Sequence, residues 1–186
     1  MNAHQQGTGS AYFIDTKKQE IETHTLAVIA ENQPGVLARI IGLFAGRGYN
    51  IDSLTVSETE HEKHVSRFTI VTTGTASVIT QIKAQLDRMV PVHSVADLTA
   101  EGNFLARELA MVKVNGVGDK RIEALRLGDA FRARVVDASV ESFVFELTGK
   151  PDKIDQFISL MMPLGLVEVS RTGVAAISRG GTVMKD

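Results

Sequence analysis

The sequence predicts an α+β fold of two βαββαβ units in tandem, and two observations predict it. Apolar periodicity switches repeatedly between two and about 3.6 residues, the signatures of strand and helix. The same order of six elements is read twice along the chain, with a short polar stretch between the copies.

The first unit opens at His24 to Ala30, where Leu26, Val28 and Ala30 alternate with Thr25, Ala27 and Ile29. Both rows are apolar enough for a strand in a sheet covered on at least one face. Asn32-Gln33-Pro34-Gly35 breaks it, and Val36, Leu37, Ile40, Ile41 and Phe44 then recur at helical spacing. That helix ends near Gly46 and Gly48. Ile51 to Ser57 and Val65 to Thr72 are β-rich runs joined by the polar Glu58 to His64, which predicts a hairpin with an exposed loop. Val78, Ile79, Ile82, Leu86 and Met89 make a second amphipathic helix stopped before Pro91, and Val92 to Leu98 closes the unit as a strand. Right-handed crossovers put both helices on one face of a four-stranded antiparallel sheet, a ferredoxin-like sandwich.

Residues 100–108 are polar and without strong period, and are expected to be a linker. The pattern then restarts. Leu109 to Val114 alternates, Gly118 to Ala130 is weakly helical, and Arg134 to Ser139 with Glu141 to Thr148 forms a strand pair. Pro151 suits a first helical turn, Ile154, Phe157, Ile158 and Met161 give a helical stripe, and Leu166 to Ser170 follows as a strand. The expected layout is thus a flexible tail over 1–22, a first sandwich over 23–99, the linker, and a second ferredoxin-like domain over 109–186.

Composition excludes several functions. The 186 residues carry a net charge of −2 and a pI near 6.2, so no basic field exists to neutralise a phosphate backbone, and nucleic acid is not an expected partner. The βαββαβ order is shared with RNA-recognition motifs, but the third strand offers only Phe68 for base stacking and aromatic content is 5%. Zero cysteines exclude a disulfide framework and a thiol nucleophile, and fit a reducing cytoplasm. No signal-peptide run and no stretch near the ~18 consecutive apolar residues of a membrane span is present, so no membrane partner is expected.

Catalytic motifs are missing as well. His61 and His64 are three apart, but in a hairpin loop with Lys63 between them and no third ligand in view, so a solvated loop is the better reading than a metal site. His24 and His93 fall on strands as packed or edge histidines. Asn115-Gly116-Val117-Gly118 opens a helix after a strand, yet position 121 is Arg where a dinucleotide fingerprint needs its third glycine, which leaves a tight turn. No catalytic residue and no cofactor of the chain's own is expected.

The segment that rises above this background is Asn32 to Leu37, a strand-to-helix turn, together with Gly46 to Ile51 after the helix. Both are expected at one end of the sheet. A helix start presents unpaired N–H groups and about half a positive charge to a carboxylate, and Gly35 allows close approach. The amide oxygens of Asn32 and Asn50 suit an ammonium group, and Val36, Leu37 and Ile51 offer apolar surface. On residue chemistry alone the same features equally describe a plain helix, opened by Asn32 or Gln33, set by Pro34 and ended by Gly48.

The run Pro34-Gly35-Val36-Leu37-Ala38-Arg39-Ile40, with Phe44, Gly48-Tyr49-Asn50-Ile51 and Leu54-Thr55-Val56, resembles the ACT domain, a family of small-molecule sensor modules. The longer stretch from Arg39 to Val56 resembles the regulatory small subunit of acetohydroxyacid synthase, also called acetolactate synthase. The second half resembles that subunit's C-terminal domain in Arg107-Glu108-Leu109, Lys113-Val114, Arg171-Thr172-Gly173-Val174 and Ile177-Ser178-Arg179-Gly180. The resemblance implies a non-catalytic subunit that activates a catalytic large subunit and confers feedback inhibition by valine, leucine or isoleucine, chiefly valine. It implies a homodimer through paired ACT domains, with Asn32 and Gly35 of one protomer facing Asn50 and Ile51 of the other. Thiamine diphosphate, magnesium and FAD are implied for the catalytic partner. A stand-alone ACT-type sensor controlling another enzyme is the alternative.

Overall fold

The structure is a computed structural model that describes residues 20–60, 64–181 and 183–184. The first unit holds β1 (Ile21–Glu31), α1 (Val36–Ala45), β2 (Ser53–Glu60), β3 (Val65–Thr75), α2 (Ala76–Asp87) and β4 (Val92–Asp97). Its sheet has the order β2-β3-β1-β4, antiparallel throughout. Two sandwiches of the expected α+β kind follow one another. Among the described residues no helix is long and apolar enough to cross a membrane.

The alternation read in β1 sorts its side chains. Leu26, Val28 and Ala30 meet Ile40 and Phe44 of α1 and Ile82 and Leu86 of α2 in a single core. Ala27 and Ile29 point the other way, and they too are buried. Thr75 begins α2 by accepting the Val78 N–H at 3.4 Å, which satisfies one of its orphan donors.

The second unit holds β5 (Phe104–Asn115), α4 (Asp119–Phe131), β6 (Arg134–Ala138), β7 (Ser142–Gly149), α5 (Pro151–Met161) and β8 (Leu166–Arg171), after a four-residue α3 (Leu98–Glu101). Its sheet runs β6-β7-β5-β8. The weak helical signal over Gly118 to Ala130 has a physical cause. At Gly128 a Cβ would lie 2.7 Å from the Phe145 ring, so α4 gives up an apolar side chain to let that ring pack. Phe145 in turn meets Phe157 edge-on, with centroids 5.9 Å apart.

Three expectations are corrected. The tail 1–22 lies outside the described residues as far as residue 19, but Ile21 and Glu22 already belong to β1, paired with Thr75 and Gly74. The stretch 100–108 is no linker: its polar Glu101-Gly102 is the end of α3, capped by Gly102 at φ 79°, and β5 starts at Phe104. A short strand β9 (Ala175–Ser178), absent from the expected pattern, pairs with Phe104 to Arg107 of β5. Four residues with one buried side chain, Ala176, leave too little alternation to be seen.

These last elements join the units. Phe104, Ala106, Val174 and Ala176 pack with Leu98 on Ala27, covering the face of the first sheet opposite its helices. Glu108, charged and therefore read as linker, is 4% exposed. Arg171, 63 residues later, holds both its oxygens at 2.6 Å and reaches Asp155 at 2.6 Å as well. The Glu108 bond is the main reason the Arg171 guanidinium titrates above its ordinary value.

Arg171→Ala strands the buried Glu108 carboxylate, and a buried charge that loses its partner costs about 3 kcal/mol or more. Urea unfolding at neutral pH is expected to show a loss near that size, with Arg171→Ala/Glu108→Leu recovering part of it. A loss under about 1 kcal/mol, the range of exposed pairs, contradicts the assignment.

Candidate functional site

The turn from β1 to α1 is built by Gly35. It caps the helix at φ 87° and ψ −10°, left-handed backbone that L side chains disfavour, and it does so without any side-chain cap. Neither Asn32 nor Gln33 therefore opens the helix with its side chain. The Val36 N–H turns back to the Gln33 carbonyl at 3.3 Å, while the Leu37 and Ala38 N–H groups meet no acceptor among the described residues. A Cβ built on Gly35 meets nothing within 4 Å, so the helix start opens on free space. No acidic side chain occupies the first turn, and the positive end of α1 is left for an outside anion.

At the other end of α1 the chain leaves through Gly48 at φ 68° and Tyr49, whose N–H returns to Phe44 at 3.0 Å. Asn50 follows, exposed, with its backbone carbonyl accepting from Thr72 Oγ1 at 2.6 Å. Its side-chain amide donates to Asp52 Oδ1 at 2.5 Å, which engages the amide nitrogen and leaves Oδ1 of Asn50 as an acceptor. Asp52 Oδ2 takes a bond from Thr73 Oγ1 at 2.7 Å. Asp52 was not among the residues singled out in the sequence. Its signal was an acidic residue two places after Asn50 at a strand entry, too common a pattern to stand out.

The structure parts what the sequence joined. The Asn32 N–H bonds the His64 carbonyl and the Asp52 N–H bonds the Val71 carbonyl, seven residues along β3. At about 3.3 Å per residue the two segments are roughly 23 Å apart. The cause is topological: α1 carries the chain back along the sheet, so the end of β1 and the start of β2 lie at opposite ends. The expectation that both sit at one end is corrected. Val36 is corrected too, since at 2% exposure it belongs to the core and presents no side-chain surface. Leu37 is 41% exposed and Ile51 half-buried, and both can still face a ligand.

Among the described residues the remaining sequence candidates form no second site of chemistry. His61 lies outside the described residues. His24 is buried with Nδ1 2.9 Å from Asp97 Oδ2, and the other oxygen of Asp97 caps α3 through the Ala100 N–H at 3.1 Å. Gly118 opens α4 as a turn glycine at φ 60°. Among the described residues no three His, Asp or Glu side chains gather as a metal-ligand set.

Two families match the chain, one described as "AHAS small subunit-like ACT domain" over residues 26–94 and one as "Small subunit of acetolactate synthase" over 107–180. The probable acetolactate synthase small subunit of Archaeoglobus fulgidus is 45% identical over 157 residues, 84% of this chain and 97% of the relative. The acetolactate synthase small subunit of Mycolicibacterium smegmatis is 42% identical, with 85% and 92% covered. The crystal structure of the acetolactate synthase small subunit from Thermotoga maritima superposes with a TM-score of 0.78 at 34% identity, covering 87% of this chain and 99% of that one.

Gly35→Ala is expected to cost about 1–2 kcal/mol, because the space is open and only the left-handed backbone resists a side chain. Gly35→Asn, which tolerates that conformation better, should recover a good part. Denaturation midpoints check this, and equal losses for Ala and Asn contradict a purely conformational role.

Proposed function

Because the chain belongs to the acetolactate synthase small-subunit family, we propose that it is the regulatory, non-catalytic partner of a thiamine-diphosphate-dependent large subunit. It raises the activity of that subunit, and it carries feedback inhibition when valine, or less strongly leucine or isoleucine, binds between two ACT domains. Thiamine diphosphate, magnesium and FAD belong to the large subunit in this reading.

The observation that carries the effector site is the separation of Asn32–Leu37 from Asn50–Asp52 along α1. β2 is an edge strand, with one row of backbone groups unpaired by the sheet. Two copies joined antiparallel along β2 by a two-fold axis bring the helix start of one protomer beside the Asn50 loop of its partner. Each half then supplies what the other lacks. The N–H groups of Leu37 and Ala38 hold the α-carboxylate, and Asn50 Oδ1 with the Asp52 carboxylate takes the ammonium. Leu37, Ile41 and Val56, exposed by 41%, 39% and 39%, are the large apolar residues left uncovered in this region, and they support both the protomer contact and a branched aliphatic ligand.

An effector seated between protomers acts only through its different affinity for two states of the assembly, typically about 1–3 kcal/mol of coupling. A ligand that needs both halves ties sensing to dimerisation.

Thermal unfolding against the twenty amino acids tests the effector. Valine is expected to stabilise the native chain by about 2.7 kcal/mol at 100 times its dissociation constant, with leucine and isoleucine behind it. Asn50→Ala and Gly35→Asp should each remove the response, the second by placing a negative charge at the helix start. No response to any branched-chain amino acid in the parent chain rejects the sensor reading, and failure to co-purify with an acetolactate synthase large subunit rejects the partner.

Val56→Lys places a charge beside the β2 edge. It should shift the chain to monomer in sedimentation and abolish the valine response together. A monomer that still binds valine with unchanged affinity rejects the shared site.

A further inference from the structure

The seam between the two units holds a second cleft, away from α1 and on the opposite face of the first sheet. Its volume is about 690 Å³, inside the roughly 300–1,000 Å³ range of small-molecule sites. Among the described residues two arginines, Arg67 and Arg107, line it with five hydroxyl-bearing residues, Thr55, Ser57, Thr59, Thr69 and Ser178, and no acidic residue. For a chain of net charge −2 that is a marked local excess of positive charge.

Arg67 stands out within it. It rises from β3 across the seam, where Nη2 donates to the Ala176 carbonyl at 3.0 Å and Nη1 reaches Met184 Sδ at 3.5 Å. A carbonyl and a thioether are weak partners for a guanidinium with five N–H groups, and no carboxylate among the described residues neutralises it. Burial lowers its affinity for the proton below the ordinary value, with no acidic neighbour among the described residues to oppose that. The contrast within the same seam is sharp. Arg171, the arginine of the neighbouring cleft, is held by Glu108 and Asp155, and Asp52 and Asp152 line that cleft too.

We propose that the Arg67 cleft is a binding site for a small organic oxyanion, a phosphate monoester or an ionised carboxylic acid, held by Arg67 and Arg107. The unengaged N–H groups of Arg67 form a planar fork that fits two oxygens of one phosphate or carboxylate group. The hydroxyls of Thr55, Ser57 and Thr69 complete the polar side of the cleft, and Ile29, Leu105 and Ile177 accept a carbon skeleton. Both units contribute to it, so the anion fastens one to the other. The site stands independently of the amino-acid effector reading, since it shares no residue with α1 or the Asn50 loop.

Calorimetric titration of the full chain at low ionic strength, once with pyrophosphate and once with malonate, tests it. One of the two is expected to bind saturably, and which one separates a phosphate ligand from a carboxylate ligand. Arg67→Gln should weaken that binding at least about tenfold, the effect of losing a charge-assisted pair. The Arg107 side chain, exposed and bonded among the described residues to the carbonyl of Ala106 at 2.7 Å, can be changed without disturbing the fold, and Arg107→Gln should weaken binding severalfold. Asn50→Ala should leave the anion affinity unchanged, which keeps the two sites distinguishable. No saturable binding of either anion up to about 10 mM, or an affinity unchanged in Arg107→Gln, overturns the proposal.

Discussion

Burial of β1 on both faces is the constraint on which the molecule depends. A strand carrying Leu26, Val28 and Ala30 on one side and Ala27 and Ile29 on the other cannot leave either row in water. α1 and α2 cover the first row, as any βαββαβ unit would. The second row is covered only because β5 begins seven residues after β4 ends and runs straight into the second sheet, bringing β9 with it. The two sandwiches are therefore joined by a common apolar cluster in which the start of β5 and β9 pack on the first sheet, not strung on a tether.

A seam formed in this way has polar margins, and their chemistry is divided. On β5 the neighbours Arg107 and Glu108 point to opposite faces, as strand geometry requires. Arg107 joins Arg67 at one margin, and Glu108 is buried at the other against Arg171. Gly173, at φ 81° between β8 and β9, brings the chain so close to β2 that a Cβ there would lie 2.9 Å from Ser53 Oγ. The Val174 N–H donates to that same hydroxyl at 2.9 Å. Contact between the units thus passes directly to β2, the edge strand on which pairing of two copies is proposed. An effector that reorders this edge has a short physical route to the second unit, through Ser53, Thr55 and the turn at Gly173.

The topology of α1 bears on sensing in the same way. A helix that crosses back over its sheet always separates the turn before it from the turn after it, here by the length of ten residues, or about 15 Å of helix. The carboxylate contact proposed at the start of α1 and the ammonium contact proposed at its end cannot both be made by one small amino acid within one chain. Two chains related by a two-fold axis remove the difficulty.

Much of this was legible in the amino-acid order alone. The two βαββαβ units, the helix stop before Pro91 and the glycine at the entrance of α1 follow from local periodicity and turn chemistry, which depend on residues near one another in the chain. The tertiary structure decided the rest. That Val36 is core while Leu37 is surface, that Asn32 and Asn50 stand at opposite ends of the sheet, that Glu108 is a buried partner of Arg171 rather than linker, and that Arg67 meets no carboxylate among the described residues all depend on groups brought together from far apart. Periodicity places a side chain on a face of its own element, but only the packing of distant elements determines whether that face meets core, solvent or an opposite charge.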